Sequence, residues 1–416
     1  MKILWLSHLI PYPPKGGVLQ RSYNLIKELS KDNEVDLVAF NQVNLLKHIY
    51  PSMSEAIKDA TQELSKYCKA IHFFDIPCDT TSYGKKLLAF KSIFTFDPYT
   101  VNWLKSKEME QFIQKLSLSH KYDLIHFDTL SLIPYKKYFS SDVCILDHHN
   151  IESHMMFRRA STETHFLKKI YFHQEALKLQ RYEKKYCPKF NLHITCSHLD
   201  SKRLQEIISE KNVVDIPNGV DVDYFKPDPT VTKTPCSLIF TGGLDWYPNK
   251  KAILFFIREV WPTLRKKVTN ITVNIIGKNP PEELINLSKN DTRIQLHGFV
   301  NDIRDYMNTA QVYVCPIDDG GGTKLKILDA LAMSKSIVSN PIACEGIDVT
   351  NSKDVLFAEM PDEYVDKIMY LFSNPSESER IGQNSRKLIE SKYSYDIIGG
   401  DFRKLYKDLL TNSNKP

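Results

Sequence analysis

The sequence predicts an α/β chain made of two doubly wound parallel sheets in tandem, and three observations point there. Short apolar runs alternate with longer amphipathic stretches from end to end, as the strands and crossover helices of parallel sheets do. Two such sets occur, divided by a polar, proline-rich join. The length of 416 residues exceeds a single domain, which usually takes ~100–200 residues.

In the first half, strands are expected at 3–7, 35–40, 70–76, 124–127, 143–147 and 192–195, with helices near 18–30, 43–66, 104–119, 151–187 and 198–209. In the second half they are expected at 237–241, 272–276, 294–298, 312–316, 336–339 and 355–358. Helices fit near 249–267, 281–289, 302–309, 324–333 and 362–372. The join runs from Ile216-Pro-Asn-Gly to Pro235, where Asn218-Gly219 and several prolines make a turn and linker. Asp221-Val-Asp223 in this join reads as part of the turn rather than as a metal-chelating triplet. A helical stretch over 376–410, broken near 393–395, closes the chain. The domains expected are 1–215, 216–390 and a closing helix over 391–416.

Composition removes several function classes. Hydrophobic residues make up 42% and charged residues 25%, with 55 Lys and Arg against 50 Asp and Glu. That balance excludes a disordered polyelectrolyte and a strongly basic nucleic-acid arm. No apolar run is long enough to span a bilayer, and Met1–His8 is too short for a signal peptide and reads as a first buried strand. The eight cysteines stand at least nine residues apart, so they read as reduced thiols of a cytoplasmic protein. Residues 1–215 hold 30 basic and 24 acidic side chains, against 25 and 26 in 216–416. The lysines of the first half interleave with aromatics, as in His165–Phe172 and Lys184–Lys189. Solvated helix faces explain such clusters, and so does a surface meeting anionic lipid or an anionic acceptor.

Ligands of doubly wound sheets bind beyond the carboxyl ends of the strands, and three loops there stand out. After the first strand, Lys15-Gly16-Gly17 precedes a helix that carries Arg21, so backbone N–H groups can approach an anion. After the fifth, His148-His149-Asn150-Ile-Glu152 lacks the spacing and third ligand of a metal site. It suits a polar contact to a substrate hydroxyl or carbonyl. After 312–316, Gly320-Gly321-Gly322 forms a nest of donors, Thr323 is placed as helix N-cap, and Lys324 falls in the first turn. A lysine there opposes the helix dipole, which makes sense with an anion docked between them. Asp329, one turn on, can accept hydrogen bonds from vicinal hydroxyls, so diphosphate plus ribose describes a nucleoside diphosphate.

These residues carry a resemblance. Together with Phe240-Thr-Gly-Gly-Leu-Asp-Trp-Tyr-Pro-Asn249, Ile276-Gly-Lys278, His297-Gly-Phe299-Val300-Asn-Asp302, Pro341–Ile347 and Asn218–Asp221, the chain resembles GT-B fold glycosyltransferases of family 4 over nearly its whole length. The resemblance implies two Rossmann-like domains, with the C-terminal helices packing back on the first. It implies a retaining hexosyl transfer from a nucleotide-diphosphate sugar to a saccharide or lipid-linked saccharide, in polysaccharide or glycoconjugate synthesis. Neither a cofactor nor a metal is expected.

Residue by residue, Gly17, His149 and Lys324 would do the chemistry: facing the transferring sugar, contacting it, and neutralising the leaving diphosphate. Gly16, Gly243, Lys278, Phe299, Val300, Gly321, Gly322, Thr323, Leu325, Asp329 and Glu345 would hold the donor. Arg21, His148 and Asn150 would face the acceptor. The chain departs from the family pattern where Gly321 and Asp329 replace two glutamates, and where Leu244-Asp245-Trp246 replaces an Arg and a Lys. A nucleotide-sugar epimerase and a non-catalytic nucleotide-sugar binder are the rival readings. An NAD-dependent oxidoreductase lacks its GxGxxG. A cytoplasmic protein with a peripheral contact to the inner membrane face, and no nucleic-acid partner, is expected.

Overall fold

A computed structural model describes residues 1–14, 17–42, 49–139, 142–209, 212–319 and 322–413. The chain divides into two compact units, Met1–Pro217 together with residues from Ile398 onward, and Asn218–Ile397.

The first unit is built on seven strands: β1 Lys2–Ser7, β2 Glu34–Asn41, β3 Ala70–Asp75, β4 Leu124–Phe127, β5 Cys144–His148, β6 Leu192–Thr195 and β7 Val213–Asp215. They lie in the order β3-β2-β1-β4-β5-β6-β7, and every pairing is parallel. Strands β1, β4 and β5 are buried on both faces, which is why they read as continuous apolar runs. The order reverses between β1 and β4. β7 was not expected: three residues at a sheet edge are too few to show a period. Where one helix over 151–187 was expected, two form, Glu152–Thr162 and Phe166–Tyr186. Both Glu163 and His165 adopt extended backbone between them, and the Glu163 carboxylate accepts the His165 N–H at 3.0 Å, so a local side-chain bond replaces the helical one.

The closing helix, Tyr395–Ser413, enters the first unit at Ile398. Ile398, Phe402 and Tyr406 join the core around Trp5. Tyr406 Oη lies 2.6 Å from His126 Nδ1, and His126 stacks on Trp5 with ring centroids 3.6 Å apart. A Cβ on Gly399 would collide with Glu28, so glycine there permits the helix to approach Gly17–Leu29.

The second unit has six strands: β8 Ser237–Thr241, β9 Thr272–Ile276, β10 Ile294–Gly298, β11 Val312–Cys315, β12 Ser336–Ser339 and β13 Leu356–Phe357. Their order is β10-β9-β8-β11-β12-β13, again all parallel, with the reversal between β8 and β11. The helix expected over 249–267 contains a π-helical segment, Phe256–Val260, just before Pro262. Proline has no N–H to give to the preceding turn, and the wider turn absorbs the missing bond. The join is held by Arg386, whose guanidinium donates to the carbonyls of Phe225 at 2.6 Å, Ala332 at 2.7 Å and Val222 at 2.9 Å. Asp221 caps its own turn by accepting from the N–H groups of Asp223 at 3.1 Å and Tyr224 at 2.9 Å. No helix among the described residues is long and apolar enough to cross a membrane.

Candidate functional site

Each sheet reverses order at one point, and the loops leaving the strands on either side splay apart there to make a crevice. In the first unit that point lies between Ser7-His8, at the end of β1, and Asp128, just past β4. Asp128 is fully buried. Its carboxylate accepts from Ser7 Oγ at 3.0 Å and Ser22 Oγ at 3.0 Å. It also meets His8 Nδ1 and His149 Nε2, each at 3.0 Å. Burial alone would raise its pKa, but the imidazoles of His149 and His8 outweigh that and hold it well below the usual carboxylate range. Burial pulls the His149 imidazole down, and the adjacent Asp128 charge overrides it, leaving His149 above its ordinary value. The sequence singled out His149 but not Asp128 or His8. Their 120-residue separation hides the cluster, and only the β1–β4 pairing closes it.

The neighbouring residues are committed to the scaffold. Arg21 is 1% exposed, with Nε 3.1 Å and Nη2 3.2 Å from the Asp147 carboxylate, and Nη1 3.0 Å from the Ile216 carbonyl. His148 is buried with Nε2 3.1 Å from His193 Nδ1, and burial holds it well below its ordinary pKa. These two therefore brace β5 and β6 instead of facing an acceptor. Asn150 is half-buried just beyond His149. Beside it, burial pushes the half-buried Glu152 up to about 7, against the pull of His149. Gly17 opens the helix Gly17–Leu29, while Lys15 and Gly16 lie outside the described residues.

The ring nitrogens of His8 and His149 and the Asp128 carboxylate lie within 4.8 Å of one another, a set that could hold a divalent ion. The two hydrogen bonds to Asp128 already satisfy those atoms without one.

In the second unit the reversal lies between β8 and β11. The helix expected to be capped by Thr323 begins at Leu325, with Lys324 at the N-cap in extended backbone. Gly322 takes a left-handed φ of +67° and Lys324 Nζ turns back to the Gly322 carbonyl at 3.1 Å, so the chain is still outside helical geometry at Lys324. Leu325 is buried in the core, so only its backbone can face a ligand. Gly320 and Gly321 lie outside the described residues. Thr323 is half-buried beside them.

A second lysine, not foreseen from sequence, stands at the heart of the crevice. Lys326 Nζ donates to Asn249 Oδ1 at 2.6 Å, and Asn249 Nδ2 donates to the Gly243 carbonyl at 2.8 Å. A Cβ on Gly242, whose φ is +144°, would collide with that ammonium, so the bare backbone after β8 leaves room for it. Burial lowers Lys326 to about 8. Asp329, one turn along the helix, is 7% exposed, and burial raises it to about 8. Its Oδ1 is buried without a hydrogen-bond partner. An orphaned buried acceptor costs ~1–3 kcal/mol, and perturbed groups of this kind gather at functional crevices.

Around these, Lys278 follows β9 with Nζ 3.8 Å from Asp245. Gly243 packs over the same pair. Phe299 is 42% exposed past β10, whereas Val300 packs on the core. Glu345 is half-buried, ahead of Gly346 at φ +83°. All follow the carboxyl ends of parallel strands, which puts their loops on one edge of the sheet.

Because Asp329 is pushed up, the fold holds its proton more tightly than the unfolded chain does. Stability is therefore lost as pH rises from the ordinary carboxylate value toward about 8. Asp329→Asn is expected to raise the ligand-free Tm by ~2–6 °C near pH 8.5, with a smaller gain at pH 5. A gain independent of pH, read by calorimetry, would show that the carboxyl ionises normally.

Two doubly wound parallel units in tandem, each with polar side chains gathered at its switch point, have the GT-B fold. Within it, residues 235–374 match the family model described as glycosyl transferases group 1. The sucrose-phosphate synthase of Thermosynechococcus elongatus superposes with a TM-score of 0.70 at 13% identity, covering 99% of this chain and all of that one. HepE of Anabaena, solved with UDP, superposes at 0.65 and 12% identity, covering 98% and 100%. TarM does so at 0.69 and 13%, covering 97% and 98%. A full-length relative, an uncharacterised 44.6 kDa protein of the cps region of Klebsiella pneumoniae, is 23% identical over 420 residues, covering 98% of this chain and 99% of that one.

Proposed function

We propose that this protein is a retaining hexosyltransferase. In this reading it moves a sugar from a nucleoside-diphosphate donor to a saccharide or lipid-linked saccharide, in the synthesis of a polysaccharide or glycoconjugate at the cytoplasmic membrane face. The observation that carries it is the second-unit crevice. There Lys324 and Lys326 flank the backbone of Gly242 and Gly322, and the buried Asp329 oxygen waits for a donor. Diphosphate against the two ammonium groups and ribose hydroxyls on Asp329 would satisfy all of them. Lys278, Phe299 and Val300 would border the base and phosphates, with Gly243, Thr323, the Leu325 backbone and Glu345 completing the donor side.

In the first unit, which would hold the acceptor, the His149–Asp128 pair would contact the donor sugar, with Gly17 beside it and Asn150 toward the acceptor. The bond from the anomeric carbon to the diphosphate oxygen breaks, and a bond to the acceptor oxygen forms on the same face. The acceptor proton leaves with the nucleoside diphosphate, so the protein need supply no general base; it supplies charge where the diphosphate gains it.

The first test is a thermal-shift series with uridine, guanosine and adenosine diphosphate sugars. HepE is solved with UDP-glucose, which puts the uridine series first. One base is expected to stand out, since ligand at 100 times Kd stabilises by about 2.7 kcal/mol; a flat response to all three sinks the donor site. Turnover is expected to survive dialysis against EDTA, because lysines and not a metal neutralise the diphosphate. Loss that added Mn²⁺ or Mg²⁺ restores would reverse that.

A further inference from the structure

The first unit exposes an apolar face where a helix ordinarily hides one. In the helix Gly84–Ile93 and its flanks, Tyr83, Leu87, Phe90 and Phe94 follow one another at spacings of four, three and four, which places them on a single stripe. That stripe faces solvent: Tyr83 is 74% exposed and Phe94 75%. On the helix Phe166–Tyr186, which meets it further along through Gln174 and Lys178, Phe166, Leu167 and Ile170 form a second exposed cluster in the first turns.

Polar bonds fasten the two together. Gln174 Nε2 donates to the Ile93 carbonyl at 3.0 Å, and Lys178 Nζ to the Ser92 carbonyl at 2.5 Å. The Glu175 carboxylate accepts the Tyr99 N–H at 2.7 Å. The short helix is thus anchored through its C-terminal carbonyls, and its apolar stripe is left unburied, the reverse of an ordinary surface helix.

The charges around it have one sign to spare. Asp79 and Asp97 are paired with Lys85 at 3.1 Å and Lys105 at 2.6 Å. Lys86, Lys91, Lys168 and Lys169 are exposed, and among the described residues none of the four has a salt bridge. Aromatic and aliphatic tips ringed by unpaired lysines suit a bilayer interface, where rings settle at the headgroup level and lysines meet anionic lipid.

We infer that this face, Tyr83–Phe96 with Phe166–Ile170, is where the protein docks on an anionic membrane surface. The inference rests on the reading of the first unit as the acceptor side, and it identifies the surface at which a lipid-linked acceptor would be met. The exposed aromatics insert to headgroup depth, and the four lysines select anionic over neutral lipid.

The test is co-sedimentation of the full chain with vesicles of phosphatidylcholine alone, or with 30% phosphatidylglycerol, neither containing acceptor. The wild type is expected to partition at least ~10-fold more strongly into the anionic vesicles, and to lose most of that at 0.5 M salt. Phe94→Ser with Leu167→Ser, and separately Lys168→Glu with Lys169→Glu, are each expected to lose ~10-fold or more. Both should keep the wild-type thermal shift with nucleotide sugar, which separates a failed membrane face from a failed donor site and from misfolding. Equal binding to both lipids, or apolar and charge variants that bind as the wild type does, would overturn the inference. So would an oligomer that the Phe94→Ser, Leu167→Ser variant abolishes without any vesicle binding, since a second copy would then be the occupant.

Discussion

Lys326→Met is expected to lower turnover by ~100-fold or more while leaving the fold intact, the scale on which a charge aimed at a developing anion is felt. The half-buried ammonium rests on Asn249 and the Gly242 backbone, and a methionine of similar length occupies the same space without the charge. Lys324→Ala is expected to cost a comparable factor, and the pair together less than the product, because both act on one diphosphate. Burial lowers Lys326 to about 8, so kcat/KM of the wild type should fall as pH rises past 8, as the free enzyme loses that charge. The residual activity of Lys326→Met should fall less steeply over that range. Near-normal turnover in both single variants would remove the electrostatic clamp from the mechanism.

The second large effect belongs to Asp128. Asp128→Asn leaves Ser7, Ser22, His8 and His149 pointing at an amide that offers one acceptor oxygen where the carboxylate offered two. Breaking a buried, hydrogen-bonded ion pair costs ~3–5 kcal/mol, and activity should fall ~10- to 100-fold with it, because His149 loses the carboxylate that orients it and favours its protonated form.

The sign of the pH dependence follows from the two shifts. His149 is held above its ordinary value, so its contribution is complete below about 6.5 and fades as pH rises through the raised value. Asp128 is held below its ordinary value, so its contribution is complete above about 4 and fades as pH falls through the lowered one. The stability gap between wild type and Asp128→Asn should therefore be widest near pH 5–6 and narrow in alkali. A gap that stays constant from pH 5 to 10 would mean that the pair is not ionised.

Most strands were legible in the sequence to within a residue, because a parallel strand buried on both faces is an uninterrupted apolar run. β4, β6, β8 and β12, buried along their length, fall where the runs fall, and the partly buried β9 and β10 also lie at their expected bounds. β7 at the sheet edge was not, nor was the helix Gly84–Ile93, whose apolar stripe faces out and so resembles no buried pattern. The break at Glu163–His165 and the π segment before Pro262 depend on which hydrogen bonds the chain can find locally, and periodicity does not report that.

The candidate site divides in the same way. Gly322, Lys324 and Asp329 were readable because they lie within one loop and one helical turn, where spacing alone sets the geometry. His149 stood out as one of a rare adjacent pair. Its partner Asp128, the ammonium of Lys326 against Gly242, and the burial of Arg21 and His148 are decisions of the tertiary structure. Each joins residues from different strands or helices, and each depends on which atoms are removed from water. By itself the sequence determined the two parallel sheets and most of the loops that follow their strands. Packing decided which side chains at those places carry charge, since charge inside a protein is set by the solvent it loses and the partners it gains, and neither is local in the chain.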